Sequence, residues 1–514
     1  MRHGSLDRTR RRWRSAPTGA ALWLFLGVAG FSFSGCTAPP PQNSGAQALR
    51  LAARDTVDTP AVLTRFLFAE HLITIDWQGR PQEALASGWQ WEDDGRALEV
   101  QLRRGVKFHD GSPFTAEVVV DIFRRVAAKD SRNLFGAVTR FEAKDDHTMV
   151  VRLSRPDAFL VEAIADTAMV DPRKPDIGTG PFKILTRTPS ITAERNTDYY
   201  RGAPGISKVE IITYDSQRAA WVALMRGQVD MVKQVNRDAA EFLEGASHVE
   251  MSSTIRPYYI PLVFNMRHPI LKRAEIRRAL VEAIDREEIV REAMRGHGRV
   301  ADDPVWPFHW AYNAAARKYT YNPNAARLRL DSAGFPIRPS PSSGGMASRF
   351  SIRCIFWNDP QWERIALVLQ RQLADVGVDL VLQESDELGI RKSALSGSFD
   401  TYLYQMASGK SFDYTYRFWH SPSDRDGIAY QNSGYSGVDS ILERLRVIRP
   451  DAEIRTAMAD LRDRFYTDVP AAFLAWPETT LAFDSRFSIG ERSDPDVFAN
   501  LWKWRQAERQ SAAK

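Results

Sequence analysis

The stretch from Ala84 to Arg125 constrains this chain more than any other part of it. It reads ALASGWQWEDDGRALEVQLRRGVKFHDGSPFTAEVVVDIFRR. Trp89 to Trp91 and Leu98 to Leu102 alternate apolar and polar residues, the period of two half-buried strands. Asp93-Asp94-Gly95 between them is turn chemistry, because Gly tolerates positive φ and Asp tolerates the turn. A second turn is expected at His109-Asp110-Gly111. Thr115 then caps a helix whose apolar face is Val118, Val119, Ile122, Phe123 and Val126. On these grounds alone the segment is a hairpin followed by an amphipathic helix, within a large α/β protein.

The order of these pieces carries more. A hairpin, then Gly105-Val106-Lys107-Phe108-His109-Asp110-Gly111, then Thr115-Ala116-Glu117-x-Val119-Val120, resembles the extracellular solute-binding proteins of family 5. These are the peptide-, nickel- and opine-binding receptors of ABC importers. Further stretches are similar to the same family: Gly178 to Phe182, Asn196-x-x-Tyr199-Tyr200-x-Gly202, AEIRRALVEAIDREEIV from Ala274 to Val290, and Tyr321-Asn322-Pro323-x-x-Ala326 to Gly334. The resemblance spans residues 49 to 504. It implies an α/β fold of the two-lobe periplasmic-binding-protein type, the large type II form, with an extra hairpin-rich subdomain in the first lobe. Two segments would cross between lobes, at Tyr258–Asn265 and Leu474–Glu478.

The ends of the chain read differently. Arg8 to Arg14 are basic, Gly19 to Phe33 are apolar, and small residues precede Cys36 in Phe33-Ser34-Gly35-Cys36. The apolar run is short and Gly-rich for a membrane span. The pattern resembles a bacterial lipobox, with Phe33 in place of the usual Leu, so that Cys36 would be lipidated. A plain signal peptide cut near Ala38 is the alternative, and the export route stays open. Residues 37–47 (TAPPPQNSGAQ) cannot bury a core and form a tether. The expected partition is 1–36 signal peptide, 37–47 tether, 48–262 lobe I with the subdomain at about 80–170, 263–476 lobe II, 477–506 return to lobe I, and 507–514 polar tail.

Charge excludes one class of partner. The net charge of +5 belongs to the N-terminal segment, whose residues 1–36 hold six of the 69 basic and one of the 64 acidic residues. The rest of the chain is balanced, which gives a nucleic acid no electrostatic footprint. The second cysteine, Cys354, lies in the apolar run Phe350 to Trp357 and reads as a small core residue.

Between these ends the pattern is α/β. Leu49–Ala53, Met149–Leu153, Val209–Thr213, Val229–Val232 and Tyr258–Asn265 read as strands. Ser216 starts a helix with Ala219, Val222 and Met225 on one side, and Gly227 suits its C′ position. The helical run from Lys272 to Met294 restarts at a capping box, Asp285 to Glu288. A strand at Ser351–Phe356, a helix at Trp362–Val376 and a strand at Val378–Gln383 form another unit, after a flexible loop at 337–347. Phe473–Trp476 is a return strand.

Catalytic spacings fail one by one. Gly409-Lys410-Ser411 lacks the phosphate-loop Gly, since Tyr404 stands there. Gly296-x-Gly298-x-x-Ala301 follows a helix instead of a strand. Gly434-Tyr435-Ser436-Gly437 ends at Val438 where a nucleophile elbow needs Gly. The nine His are scattered without metal-ligand spacing, and His109 is expected to bond locally. The chain is therefore expected to have no catalytic residues, no cofactor and no metal ligands.

Two loops are the main candidates for ligand contact. The first is Trp357-Asn358-Asp359-Pro360-Gln361-Trp362, where Trp faces stack and amides hydrogen-bond. The second holds Met406, Ser408, Lys410 and Asp413. In peptide-binding members of the family the matching loop carries a Trp and an Asp that holds the ligand's α-ammonium. Counting from Phe399-Asp400, that Trp falls on Met406 and that Asp near Gly409, with Lys410 beside it. Asp413 substitutes if the loop shifts; otherwise a cation at the cleft favours a carboxylate- or phosphate-bearing ligand. Asp55 and Thr56 are first-lobe contacts by position. His420 and Trp419 are the nearest candidates for capturing chelated nickel. The resulting expectation is a monomeric, exported lipoprotein that delivers a peptide-like solute to ABC permease and ATPase subunits. A sensor or chaperone with no transporter, or a receptor for a chelated metal, is the alternative.

Overall fold

The computed structural model describes residues 48–54, 60–130, 132–235, 240, 242–243, 245–339, 347–421, 430–489, 497–498 and 500–506. Asp55, Thr56, Cys36, the signal and tether segments and the polar tail lie outside the described residues.

Twenty-three strands are present among them. The first is β1 (Ala48–Ala53), followed by a short ribbon of β2 (Ile73–Ile75) and β3 (Pro81–Glu83). Next come β4 (Ala86–Glu92), β5 (Ala97–Leu102), β6 (Val138–Asp145) and β7 (Thr148–Leu153), which form a four-stranded antiparallel sheet in the order β4-β5-β7-β6. The hairpin turn between β4 and β5 puts Asp93, Asp94 and Gly95 at positive φ, as its chemistry predicts. The helix Ala116–Ala127 covers this sheet with Ala116, Val119, Val120, Ile122 and Phe123. Thr115 occupies its N-cap position in extended geometry without a side-chain bond, and Val118 and Val126 lie at the margin of the core, not in it.

The main sheet has 13 strands. One half contains β1, β8 (Phe182–Thr186), β9 (Ile191–Arg195), β10 (Lys208–Thr213), β11 (Met231–Val235) and β12 (Val249–Ile255). β1 runs parallel to both β10 and β11, so the chain passes from β10 through the helix Gln217–Met225 to the far side of β1. Ser216 caps that helix by accepting from Ala219 N at 3.1 Å. The helix buries Ala220, Ala223 and Leu224, instead of the expected Ala219, Val222 and Met225. Two adjacent stripes are both apolar there, and packing against Val229 and Val232 selects between them.

The other half contains β13 (Tyr258–Phe264), β14 (Gly298–Val300), β17 (Phe350–Trp357), β18 (Val378–Ser385), β19 (Thr401–Leu403) and β20 (Met406–Ala407). β15 (Arg338–Pro339) and β16 (Ala347–Ser348) pair with each other, flanking residues 340–346, which lie outside the described residues. The two halves share β21 (Ala471–Asp484). Its first residues pair with β13 and β14, and its last with β12 and β11. The capping box forms, with Asp285 accepting from Glu288 N at 3.0 Å. The chain closes with β22 (Phe487–Ser488) against β23 (Arg505–Gln506). No helix among the described residues is long and apolar enough to cross a membrane.

Candidate functional site

β17, β18 and β19 run parallel, so their C-terminal ends open onto one edge of the sheet. Loops at such an edge form the crevice in which α/β proteins hold ligands. Two helices begin there. Asp359 caps Pro360–Asp375 by accepting from Gln361 N at 2.9 Å, and Asp386 caps Glu387–Ser396 by accepting from Gly389 N at 2.7 Å. Asn358 N donates to Ser385 O at 3.0 Å and ties the two loops together, leaving the Asn358 side chain exposed.

Three aromatic rings gather at this edge. Trp357 lies 6.1 Å from Trp362 and 6.0 Å from Tyr404, and Trp362 stacks on Tyr404 at 5.9 Å. Trp362 is buried, while Trp357 and Tyr404 are half-exposed. Burial and a hydrogen bond with Glu387 raise the Tyr404 hydroxyl above its ordinary value, and Arg391 opposes this. Tyr404 stands at the position that rules out a phosphate loop, and its ring joins this aromatic group beside buried Trp362. Tyr404, Glu387 and Arg391 are neighbours of this edge that sequence reasoning did not single out. The signal available for Tyr404 was its place directly after an apolar strand.

The second loop is used differently. Met406 is buried, pairs with Tyr259 across β13 and β20, and takes a contact from the Tyr259 hydroxyl at 3.4 Å. Ser408 is also buried; its Oγ donates to Pro304 O and its N to Pro257 O, both at 2.8 Å. Gly409 has φ +64°, and a Cβ there would lie 2.8 Å from Tyr414 Cδ2. Any side chain at this position is therefore strained and crowded. Lys410 Nζ donates to Ile75 O at 3.4 Å and stands 5.5 Å from the Trp77 ring, so it reaches the β2–β3 ribbon.

Asp413 lies at the junction with the region built on the four-stranded sheet. Burial raises its carboxyl, opposed by Arg417, whose Nε is 3.8 Å away, and by the hydroxyl of Ser411. From the other side come Asp157, in a buried ion pair with Arg446 at 2.9 Å, and Glu162. Burial, with Asp413 and Asp157 nearby, pushes Glu162 up to about 8, and its Oε2 has no hydrogen-bond partner. A cavity of about 30 Å³ remains between Asp157, Asp413 and Arg446, room for one water.

Trp419 is fully packed and donates to the Tyr259 hydroxyl at 2.8 Å. His420 stacks on Tyr416 at 4.5 Å, with Nδ1 at 2.8 Å from Ser421 O and Nε2 at 3.2 Å from Glu443. His109 does not bond within its own turn as expected: its Nε2 lies 2.9 Å from Gly180 O and its N donates to Gly178 O at 2.9 Å, because the turn packs against the segment that returns to the main sheet. Cys354 is buried, and burial pushes its thiol up to about 12. No group of three or more metal-ligating side chains occurs among the described residues. Of the sequence candidates, the sheet edge brings Trp357 and Asn358 together. It does not bring Met406 or Ser408 to the same surface.

Residues 80–426 match the family described as bacterial extracellular solute-binding proteins, family 5 Middle. The chain belongs to this family. Among its relatives is the oligopeptide-binding protein AppA of Bacillus subtilis (strain 168), 26% identical over 456 residues, covering 82% of this chain and 83% of the relative. The glutathione-binding protein GsiB of Pectobacterium atrosepticum is 26% identical over 477 residues, covering 84% of this chain and 87% of its own. Among solved structures, NikZ from Campylobacter jejuni, in complex with Ni(L-His), is 20% identical with a TM-score of 0.73, covering 90% of this chain and 100% of its own. The family 5 fold is thus a mixed α/β sheet with helices, like that of periplasmic binding proteins.

Proposed function

We propose that this chain is the substrate-binding lipoprotein of an ABC importer, holding a peptide or peptide-like solute at the sheet edge and passing it to a membrane permease. The observation that carries this reading is the Trp357–Trp362–Tyr404 group with exposed Asn358 and the Glu387 and Arg391 charges beside it. Aromatic faces supply apolar area, an amide pairs with a peptide backbone, and opposite charges side by side suit a zwitterion. Relatives named for oligopeptide and glutathione binding support the ligand class.

In this reading residues 48–262 and 477–506 form lobe I, with the subdomain at about 80–170, and residues 263–476 form lobe II. β13 and β21 carry the hinge, and closure buries the ligand. Lys410 belongs to the closing contact and Asp413 to the junction beside it, with Asp55 and Thr56 at the first-lobe side. Cys36 carries the lipid, and residues 37–47 the tether. His420 and Trp419, both packed, give no support to nickel capture.

Thermal unfolding of the chain from Ala46 onward against oligopeptides, opines, acidic conjugates and chelated nickel tests the ligand class. A ligand at a hundred times its dissociation constant adds about 2.7 kcal/mol. A rise with peptides supports the reading, and a rise only with chelated nickel overturns it.

A further inference from the structure

A second cavity, of about 430 Å³, lies away from the aromatic edge and shares no lining residue with it. Its walls come from the Arg286 turn, from β14, from the segment between Asp302 and Lys318, and from Trp476 of β21. The volume is that of a small-ligand site. Trp476 and Val290 are buried and supply apolar wall.

The charges in it are unevenly matched. Arg286 Nη1 and Lys318 Nζ share Asp302, at 3.1 and 3.0 Å from its two oxygens. Arg286 is further held by Ala301 O at 2.8 Å. Arg299 is exposed and lies 5.6 Å from the Phe308 ring, with no carboxylate partner among the described residues. Its charge also acts on the Tyr312 hydroxyl, across the same cavity. Asp302 and exposed Glu287 are the acids of the lining, so three cations leave one positive charge unmatched.

We infer that this cavity is a separate binding site for a small organic monocarboxylate, with Arg299 as its charge partner and Trp476 as its apolar wall. One unmatched cation suits a single negative charge, whereas a phosphate dianion would leave the lining net negative. An Arg presents a planar fork to a carboxylate, and an apolar body gains from leaving water against the indole. The site stands beside the strand that both sheet halves share, and Trp476 packs on Trp306, which in turn meets Trp77.

Isothermal titration of the full chain with benzoate, acetate and inorganic phosphate tests this. Benzoate is expected to bind saturably and more tightly than acetate or phosphate. Arg299→Met should weaken it about tenfold or more with an unchanged unfolding midpoint, and Arg299→Lys less. Trp357→Ala should leave benzoate binding intact, which separates this site from the sheet edge. The inference is overturned if benzoate does not saturate at millimolar concentration, if phosphate binds as tightly, if folded Arg299→Met binds as before, or if Trp357→Ala abolishes binding.

Discussion

Arg446 reaches across the junction between the helices of one sheet half and the four-stranded-sheet region to hold Asp157, at 2.9 Å, with both side chains at 10% exposure or less. Arg446 O also accepts from Ala158 N at 2.6 Å, so the same residue pins backbone and side chain. Arg446→Met leaves the Asp157 carboxylate buried without its cation. The expected cost is about 3–5 kcal/mol, measured as a lower midpoint in urea. An unchanged midpoint would show that the junction is open in solution.

Glu162 makes the same junction sensitive to pH. Its carboxyl is raised from an ordinary 4.5 to about 8, so the folded chain binds more protons than the unfolded chain between those values. The contribution is fully present below about pH 4.5 and is lost as pH rises through about 8. Glu162→Gln should remove this decline and give a flatter stability profile, most visibly on the alkaline side. The comparison is of unfolding midpoints from pH 5 to 9, and parallel profiles would contradict it.

Trp357 contributes a half-exposed ring to the aromatic edge. Trp357→Ala should weaken the peptide identified in the thermal panel by about 1–2 kcal/mol, roughly tenfold. Calorimetric titration of the folded variant measures this, and unaltered affinity would take Trp357 out of the site.

Gly409, near which counting from Phe399-Asp400 sets the Asp of peptide-binding members, is held at φ +64° against Tyr414. Gly409→Asp should destabilise the chain by about 1 kcal/mol or more and bring no gain in peptide affinity. Tighter binding would mean that the loop rearranges to present the carboxylate.

Cys36→Ser should move the protein from the membrane fraction to the soluble fraction of its host without changing ligand affinity. Lipidation at this position is what would hold it to the bilayer. Retention in the membrane fraction would point to an uncleaved apolar segment as the anchor.

The sequence by itself determined the features whose partners lie a few residues apart. The Asp93-Asp94-Gly95 turn, the Ser216 cap, the Asp285–Glu288 box and the parallel pair β17–β18 around its helix all follow from local chemistry and period. Order and spacing of such pieces sufficed for the family and the fold class. Tertiary structure alone decided which face of the Gln217–Met225 helix is buried, because two neighbouring stripes are equally apolar. β12 was not legible either: its residues, VEMSSTI, carry no clear alternation, and β21 supplies its pairing. At the candidate edge, the position of Trp357 was legible from the apolar strand that it ends. Met406 and Ser408 turned inward because Tyr259, Pro257 and Pro304, more than a hundred residues earlier, take up their side chains and backbone. Lys410 is bound to Ile75 O, 335 residues away in sequence. Such contacts depend on which strands pair and which surfaces meet, and no local preference of the chain encodes that distance.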